Sequence, residues 1–304
     1  MRIAFAGTPE PALPSLDALA SAHEIALVIT RPDAPSGRGR TLSASPIAQR
    51  AESLGLTVVK PQRLSDIADT ITELQLDAVA VVAYGGLVPQ SLLATPKHGW
   101  INLHFSLLPA WRGAAPVQWS IMSGDDITGA TTFRIEEGLD TGPVLGTLTR
   151  RIAPDDTAGS LLEALAHDGA HLLVQTLTNI TQLIAMPQPS EGISIAPKLS
   201  KDDAGIRWHD PAMAIERRIR ACTPELGAWT VVAGQRLVIA PVELRPDVLG
   251  LASGAMRVDG RSVLVGTATH AVQLSRVKPA GKGWMDADAW ARGLREEVSF
   301  TDAH

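Results

Sequence analysis

The chain has 304 residues, 45% hydrophobic and 19% charged, with a net charge of −5. So much apolar surface excludes a disordered chain. A single cysteine, Cys222, excludes a disulfide scaffold and a cysteine zinc cluster, and suits a reducing compartment. The longest near-continuous apolar run, residues 78–89, is too short for a bilayer, which needs about 20 residues. Met1 to Ala6 leads into Gly7-Thr8-Pro9 too soon for a signal peptide, so a soluble, cytoplasmic protein without membrane partners is expected.

At roughly 150 residues per domain the length predicts about two domains. Residues 3–6 read as a short buried strand, and 9–22 as a helix with Leu13, Leu16, Leu19 and Ala20 at helical spacing. A second strand covers 25–30 and stops at Arg31-Pro32-Asp33. Ser45-Pro46 opens a helix, with serine at the cap and proline in the first turn. A short strand at 57–59 precedes 78–83, which is apolar without alternation, as a strand buried on both faces requires. Strands at 100–104 and 130–135 and a long helix at 157–183 follow. Strands alternating with helices give a doubly wound α/β sheet, whose site lies beyond the C-terminal strand ends.

Pro, Gly and Ser then accumulate, and 186–203 reads as a linker between a domain at 1–185 and another at 204–304. A helix at 211–221 and short strands at 228–232, 236–240, 262–265 and 271–277 predict a small β-barrel or sandwich. Residues 204–304 hold 13 Lys and Arg against 11 Asp and Glu, whereas 1–203 hold 14 against 21. The less acidic C-terminal part is a weak pointer to an anionic partner.

Asn102-Leu103-His104 sits at a predicted strand end. Residues two apart share a strand face, so an amide donor and an imidazole stand side by side, as acyl transfer needs. Gly138-Leu139-Asp140-Thr141-Gly142-Pro143 sets a carboxylate between glycines. Beside His104 it would raise the imidazole pKa and orient the ring. Taken singly, these two motifs also read as a polar pair and a turn. Residues 106–116 are unusually apolar for a loop and fit a pocket wall or a buried connection. Arg112 within them fits an anion site or a helix cap. Arg31, Arg38 and Arg40 in one Gly- and Pro-rich loop fit a phosphate contact or a solvated surface. There is no dinucleotide fingerprint, phosphate-binding loop, metal-ligand spacing or nucleophile elbow. Cys222 reads as a small buried hydrophobe.

Taken in order, these stretches resemble the methionyl-tRNA formyltransferase family. The resemblance runs through Phe5-Ala6-Gly7-Thr8-Pro9-Glu10, Gly37-Arg38-Gly39, Val82-Ala83-Tyr84-Gly85, Ile101-Asn102-Leu103-His104, Ser106-Leu107-Leu108-Pro109 and Trp111-Arg112-Gly113-Ala114-Ala115-Pro116. It continues with Glu137-Gly138-Leu139-Asp140-Thr141-Gly142-Pro143, Ala196-Pro197-Lys198-Leu199 and Lys278-Pro279-Ala280-Gly281-Lys282. It implies a Rossmann-like formyltransferase domain with a predominantly parallel sheet, then a small OB-like β-barrel that contacts tRNA.

The activity implied is transfer of a formyl group from 10-formyltetrahydrofolate, a co-substrate, to the α-amine of methionyl-initiator tRNA, by a monomer without a metal. The resemblance places catalysis on Asn102, His104 and Asp140, the folate beside Ser106, Leu107, Leu108 and Pro109, and tRNA contact at Arg38 and Arg40. Asn102 and a protonated His104 would stabilise the oxyanion, with Asp140 keeping the imidazole charged. The alternatives are a formyltransferase for a small amine such as glycinamide ribonucleotide or a UDP-aminosugar, a hydrolase releasing formate, and a non-catalytic RNA-binding module.

Overall fold

The first strand and the apolar run at 78–83 lie side by side in the middle of one sheet. The structure, a computed structural model, describes residues 1–36, 41–294 and 298–303. In chain order the elements begin with β1 (Arg2–Gly7), α1 (Leu13–Ala22), β2 (Glu24–Ile29), β3 (Ala34–Ser36), β4 (Thr41–Ser43), α2 (Pro46–Ser53), β5 (Val58–Val59) and α3 (Ala68–Glu73). They continue with β6 (Ala78–Val82), β7 (Trp100–His104), β8 (Arg112–Gly113), α4 (Pro116–Ser123), β9 (Ile127–Arg134), β10 (Val144–Arg151), α5 (Ala158–Thr178) and β11 (Ile195–Ala196).

The chain divides into two compact units. Unit 1 comprises Met1–Pro116, Ile127–Arg151 and Leu162–Ala196; unit 2 comprises Val117–Asp126, Ile152–Leu161 and the chain from Pro197 onward. The units are therefore not consecutive halves of the sequence. Residues 186–196, which read as the start of a linker, belong to unit 1.

Unit 1 is built on a seven-stranded sheet in the order β10-β9-β7-β6-β1-β2-β5. The five strands from β7 to β5 are parallel, and β9 and β10 extend the sheet antiparallel. Every residue of β6 is buried, because both of its edges are paired and both of its faces are covered. Ser45 caps α2 as its sequence predicts, its hydroxyl accepting the Ala48 amide at 3.1 Å, with Pro46 in the first turn. Strand β10 escapes the sequence reading because it is an edge strand with one buried residue and exposed residues at alternate positions along its second half.

Unit 2 contains α6 (Ala212–Ala221), β12 (Trp229–Val232), β13 (Gln235–Ile239), β14 (Glu243–Arg245), β15 (Met256–Asp259), β16 (Ser262–Val265), β17 (Ala271–Leu274), β18 (Arg276–Pro279), β19 (Met285–Asp286), α7 (Ala287–Arg292) and β20 (Phe300–Thr301). Its strands pair antiparallel in two sheets, β19-β18-β13-β12-β20 and β14-β17-β16-β15. The single run expected at 271–277 is two strands, one in each sheet. Trp208 anchors this unit: it is fully buried, meets Phe300 edge-on at 5.2 Å, and donates its indole N–H to Thr230 Oγ1 at 2.8 Å. Cys222, at the C-cap of α6, is buried, and burial pushes its thiol up to about 11.

Candidate active site

Strand β7 pairs parallel with β6 and antiparallel with β9, setting Asn102 opposite Phe133 and His104 opposite Thr131. Leu103 points to the other face, where Gly169 of α5 leaves room for it: a Cβ there would come within 2.9 Å of the leucine. Asn102 and His104 therefore share the face turned away from α5. Asn102 is half-buried, and among the described residues its side-chain amide makes no hydrogen bond. It is free to bond a ligand.

His104 is 6% exposed and meets the Phe133 ring edge-on at 6.4 Å. Its Nε2 donates to the Trp111 carbonyl at 2.9 Å. That bond leaves Nδ1 as the nitrogen with a lone pair, 3.8 Å from Asp140 Oδ2. Three groups far apart in sequence, at 104, 111 and 140, thus meet around one ring.

Asp140 adopts a left-handed backbone, φ 50°, in the turn after β9. Its Oδ2 accepts the Gly113 amide at 2.8 Å. Gly113 has φ 125° and pairs with Ala196, whose carbonyl oxygen would lie 2.6 Å from any Cβ. Only glycine brings its N–H to the carboxylate without displacing β11. Trp111 is also left-handed, φ 61°.

Burial pulls His104 below the ordinary imidazole value, and the Asp140 carboxylate and Trp111 carbonyl oppose this less strongly. A carboxylate beside the ring does raise its pKa, as the sequence reading holds. The sequence reading sets a protonated His104 at the oxyanion; burial acts in the opposite direction, its desolvation outweighing the single carboxylate 3.8 Å away and drawing the ring's pKa down.

The apolar stretch 106–109 forms a tight turn. Ser106 is fully buried and donates its hydroxyl to the Ala110 carbonyl at 2.6 Å, while Thr131 Oγ1 donates to the Ser106 carbonyl at 2.7 Å. Leu108 is buried, and Leu107 and Pro109 are half-buried. Leu107 and Pro109 therefore supply most of the surface that this turn can offer a ligand. Arg112 is engaged by a side-chain amide rather than by a helix end. Its Nε and Nη2 donate to Gln188 Oε1 at 3.1 and 2.6 Å. Arg38 and Arg40 lie outside the described residues.

A cavity of about 410 Å³ opens at Arg31, Gln62, Arg63, Tyr84 and Gly85. Asn102, His104 and Asp140 do not line it. Its lining holds two guanidinium groups and no carboxylate, which suits an anionic portion of a ligand. Burial pushes the Tyr84 phenol above its usual value, and the Arg31 guanidinium beside it opposes this less strongly.

Sequence reasoning missed the Trp111 carbonyl, the Gly113 amide, Gln188 and Ser194. A backbone group has no residue signature. Gln188 stands between Pro187 and Pro189, a composition that reads as linker. Among the described residues no cluster of His, Cys, Asp or Glu is arranged to hold a metal, and no helix is long and apolar enough to cross a membrane.

Comparison with known proteins identifies the family. The formyl transferase family model matches residues 1–177, and the model of the formyl transferase C-terminal domain matches 198–295. A methionyl-tRNA formyltransferase of Paenarthrobacter aurescens (strain TC1) is 58% identical over 99% of this chain and 100% of its own. One of Thermobifida fusca (strain YX) is 57% identical over 97% of each chain. Among solved structures, an N-formyltransferase from Helicobacter canadensis, in complex with folinic acid and dTDP-3-aminofucose, shares the fold. Its TM-score is 0.70 at 18% identity, over 90% of this chain and 97% of its own. HypX from Aquifex aeolicus, in complex with tetrahydrofolic acid, gives a TM-score of 0.65 at 16% identity over 100% of this chain and 51% of its own. With two family models in sequence order and full-length relatives at this identity, the chain belongs to the formyl transferase family, among the methionyl-tRNA formyltransferases.

Proposed function

We propose that the enzyme transfers the formyl group of 10-formyltetrahydrofolate to the α-amine of methionyl-initiator tRNA, giving N-formylmethionyl-tRNA and tetrahydrofolate. Relatives at 57 and 58% identity over nearly the whole chain carry this activity in their names. Tetrahydrofolic acid and folinic acid in structures of the same fold support a folate-type donor. The observation that carries the chemistry is the buried imidazole of His104, with the Asp140 carboxylate facing its open nitrogen and the unbonded Asn102 amide on the same strand face.

The chemistry follows from these groups. An ordinary α-amine has a pKa of about 7.7–8.0, so much of it is free base at neutral pH and no protein nucleophile is needed. The amine nitrogen bonds to the formyl carbon, and the carbonyl electron pair moves onto oxygen. Asn102 donates its amide N–H to that oxyanion. The new ammonium loses its proton to neutral His104 at Nδ1, and Asp140 stabilises the imidazolium that forms. The carbon–N10 bond then breaks, and the proton passes to N10 of the folate. A ring held neutral by burial is a weak base before attack and a ready acid afterwards, as a shuttle requires.

Residues 1–185 form the catalytic domain in this reading, 186–203 the connection and 204–304 the tRNA-contacting domain, working as a cytoplasmic monomer. Leu107, Leu108 and Pro109 border the folate, with Ser106 fixing their turn. Arg38 and Arg40 meet the acceptor end of the tRNA. Purified protein with 10-formyltetrahydrofolate and charged initiator tRNA tests the activity. Formylated methionyl-tRNA is expected. Formylation of a UDP-aminosugar or glycinamide ribonucleotide instead, or release of free formate, would replace the reading.

A further inference from the structure

Both groups that flank the His104 ring are held by one short segment, residues 186–196. Gln188 Nε2 donates to the backbone carbonyls of Asp140 and Gly142, each at 2.8 Å. Its Oε1 accepts from Arg112, so both ends of the amide are bonded. Six residues on, Ser194 Oγ accepts the Trp111 amide at 2.8 Å, and the Ser194 carbonyl accepts the Arg112 amide at 2.9 Å. Ile195–Ala196 then pairs with Arg112–Gly113. Gln188 thus clamps the turn that carries the carboxylate, and Ser194 the residue whose carbonyl receives Nε2–H. Both clamped residues, Asp140 and Trp111, have left-handed backbones that an isolated chain disfavours.

We propose that Gln188 and Ser194 are positioning residues for formyl transfer: they touch no reacting atom, but together set the carboxylate and the carbonyl against the two nitrogens of His104. This rests on the assignment of His104 as the proton carrier. Loop residues in left-handed conformations drift once their outside bonds are cut, and a misplacement of about 1 Å at a reacting group costs about 10²-fold in rate. The segment carries no charge at 188 or 194, so its effect on His104 runs through Asp140 and Trp111. Facing the ring are Asp140 from its turn, the Trp111 carbonyl, and the Phe133 edge from β9; Arg112 is engaged by Gln188 itself.

The test uses the full-length protein and two readouts. The first is the His104 titration, followed by NMR of the ¹³C- or ¹⁵N-labelled ring without substrate. Asp140 and the Trp111 carbonyl both raise the His104 pKa. Gln188→Met and Ser194→Ala should each lower it, and the pair should lower it further. The second readout is kcat and KM. A fall in kcat of about 10- to 100-fold with KM nearly unchanged is expected. Gln188→Asn, which keeps the amide, should recover part of both effects. Circular dichroism gives the folded fraction, by which rates are normalised. A His104 titration unchanged in both variants, or a rate that falls only with the folded fraction, overturns the inference. Because the NMR arm needs no turnover, it still decides the positioning role if methionyl-tRNA is not the acceptor.

Discussion

Nδ1 of His104 and Oδ2 of Asp140 stand 3.8 Å apart, within reach of each other's charge but beyond a hydrogen bond. The carboxylate is steadied by the Gly113 amide rather than by the imidazole. It is therefore in place before any proton arrives at the ring.

The pH dependence follows with a definite sign. Asp140 raises the His104 pKa, while burial lowers it further, so the ring titrates below 6.5. Activity should rise through an acid limb below pH 6.5 as the ring becomes neutral. Asp140→Asn removes the raising influence, so the limb should move to still lower pH while the plateau rate falls. The kcat/KM–pH profiles of both proteins check this, and a limb moving upward contradicts it. The same shift bears on stability. A depressed histidine pKa favours the folded state while the ring is neutral, and that contribution is lost as pH falls from 6.5 through the folded pKa. Between pH 7 and 5, His104→Asn should lose less unfolding free energy than the wild type in denaturant titrations.

Asn102→Ala removes the proposed oxyanion donor and leaves the β7 backbone pairing intact. A loss of about 10²–10³ in kcat is expected. Affinity for charged tRNA should be unchanged. Single-turnover rates and a filter-binding isotherm separate the two quantities. Comparable weakening of both assigns Asn102 to binding instead.

Gly113→Ala tests the backbone donor. At φ 125°, with the Ala196 carbonyl 2.6 Å from a Cβ, the substitution forces β8 and β11 apart or rotates the amide away from Asp140. Strained backbone of this kind costs on the order of 1–3 kcal/mol. Chemical denaturation should show that loss, and residual activity should fall below what the folded fraction explains.

Cys222 is the only cysteine, which makes thiol labelling a clean report on unit 2. Buried, with its thiol pushed up to about 11, it should resist maleimide at pH 7.5 and react at the rate of opening or unfolding. Rapid labelling of the native protein contradicts its placement.

Arg38 and Arg40 form the proposed contact to the tRNA backbone. Each lost phosphate contact should flatten the plot of log affinity against log salt by about 0.7–0.9. Arg38→Ala and Arg40→Ala should do so with kcat at saturating tRNA preserved. An unchanged slope in the double variant removes the loop from the interface.

Much of this protein is written in local pattern. The apolar run at 78–83 announces a strand buried on both faces, Ser45-Pro46 announces a helix start, and Asn102-Leu103-His104 places two side chains on one face, because each depends on residues close together in the chain. The two ends of the 271–277 run, by contrast, enter different sheets, which no local period reveals. The bonds that complete the candidate site are of the same nonlocal kind. A carbonyl at 111, an amide at 113 and a glutamine at 188 reach His104 or Asp140 only once the chain has folded. The downward shift of the His104 pKa is likewise set by tertiary structure, because it depends on how much water the folded protein removes from the ring, and desolvation belongs to the assembled surroundings rather than to any stretch of residues.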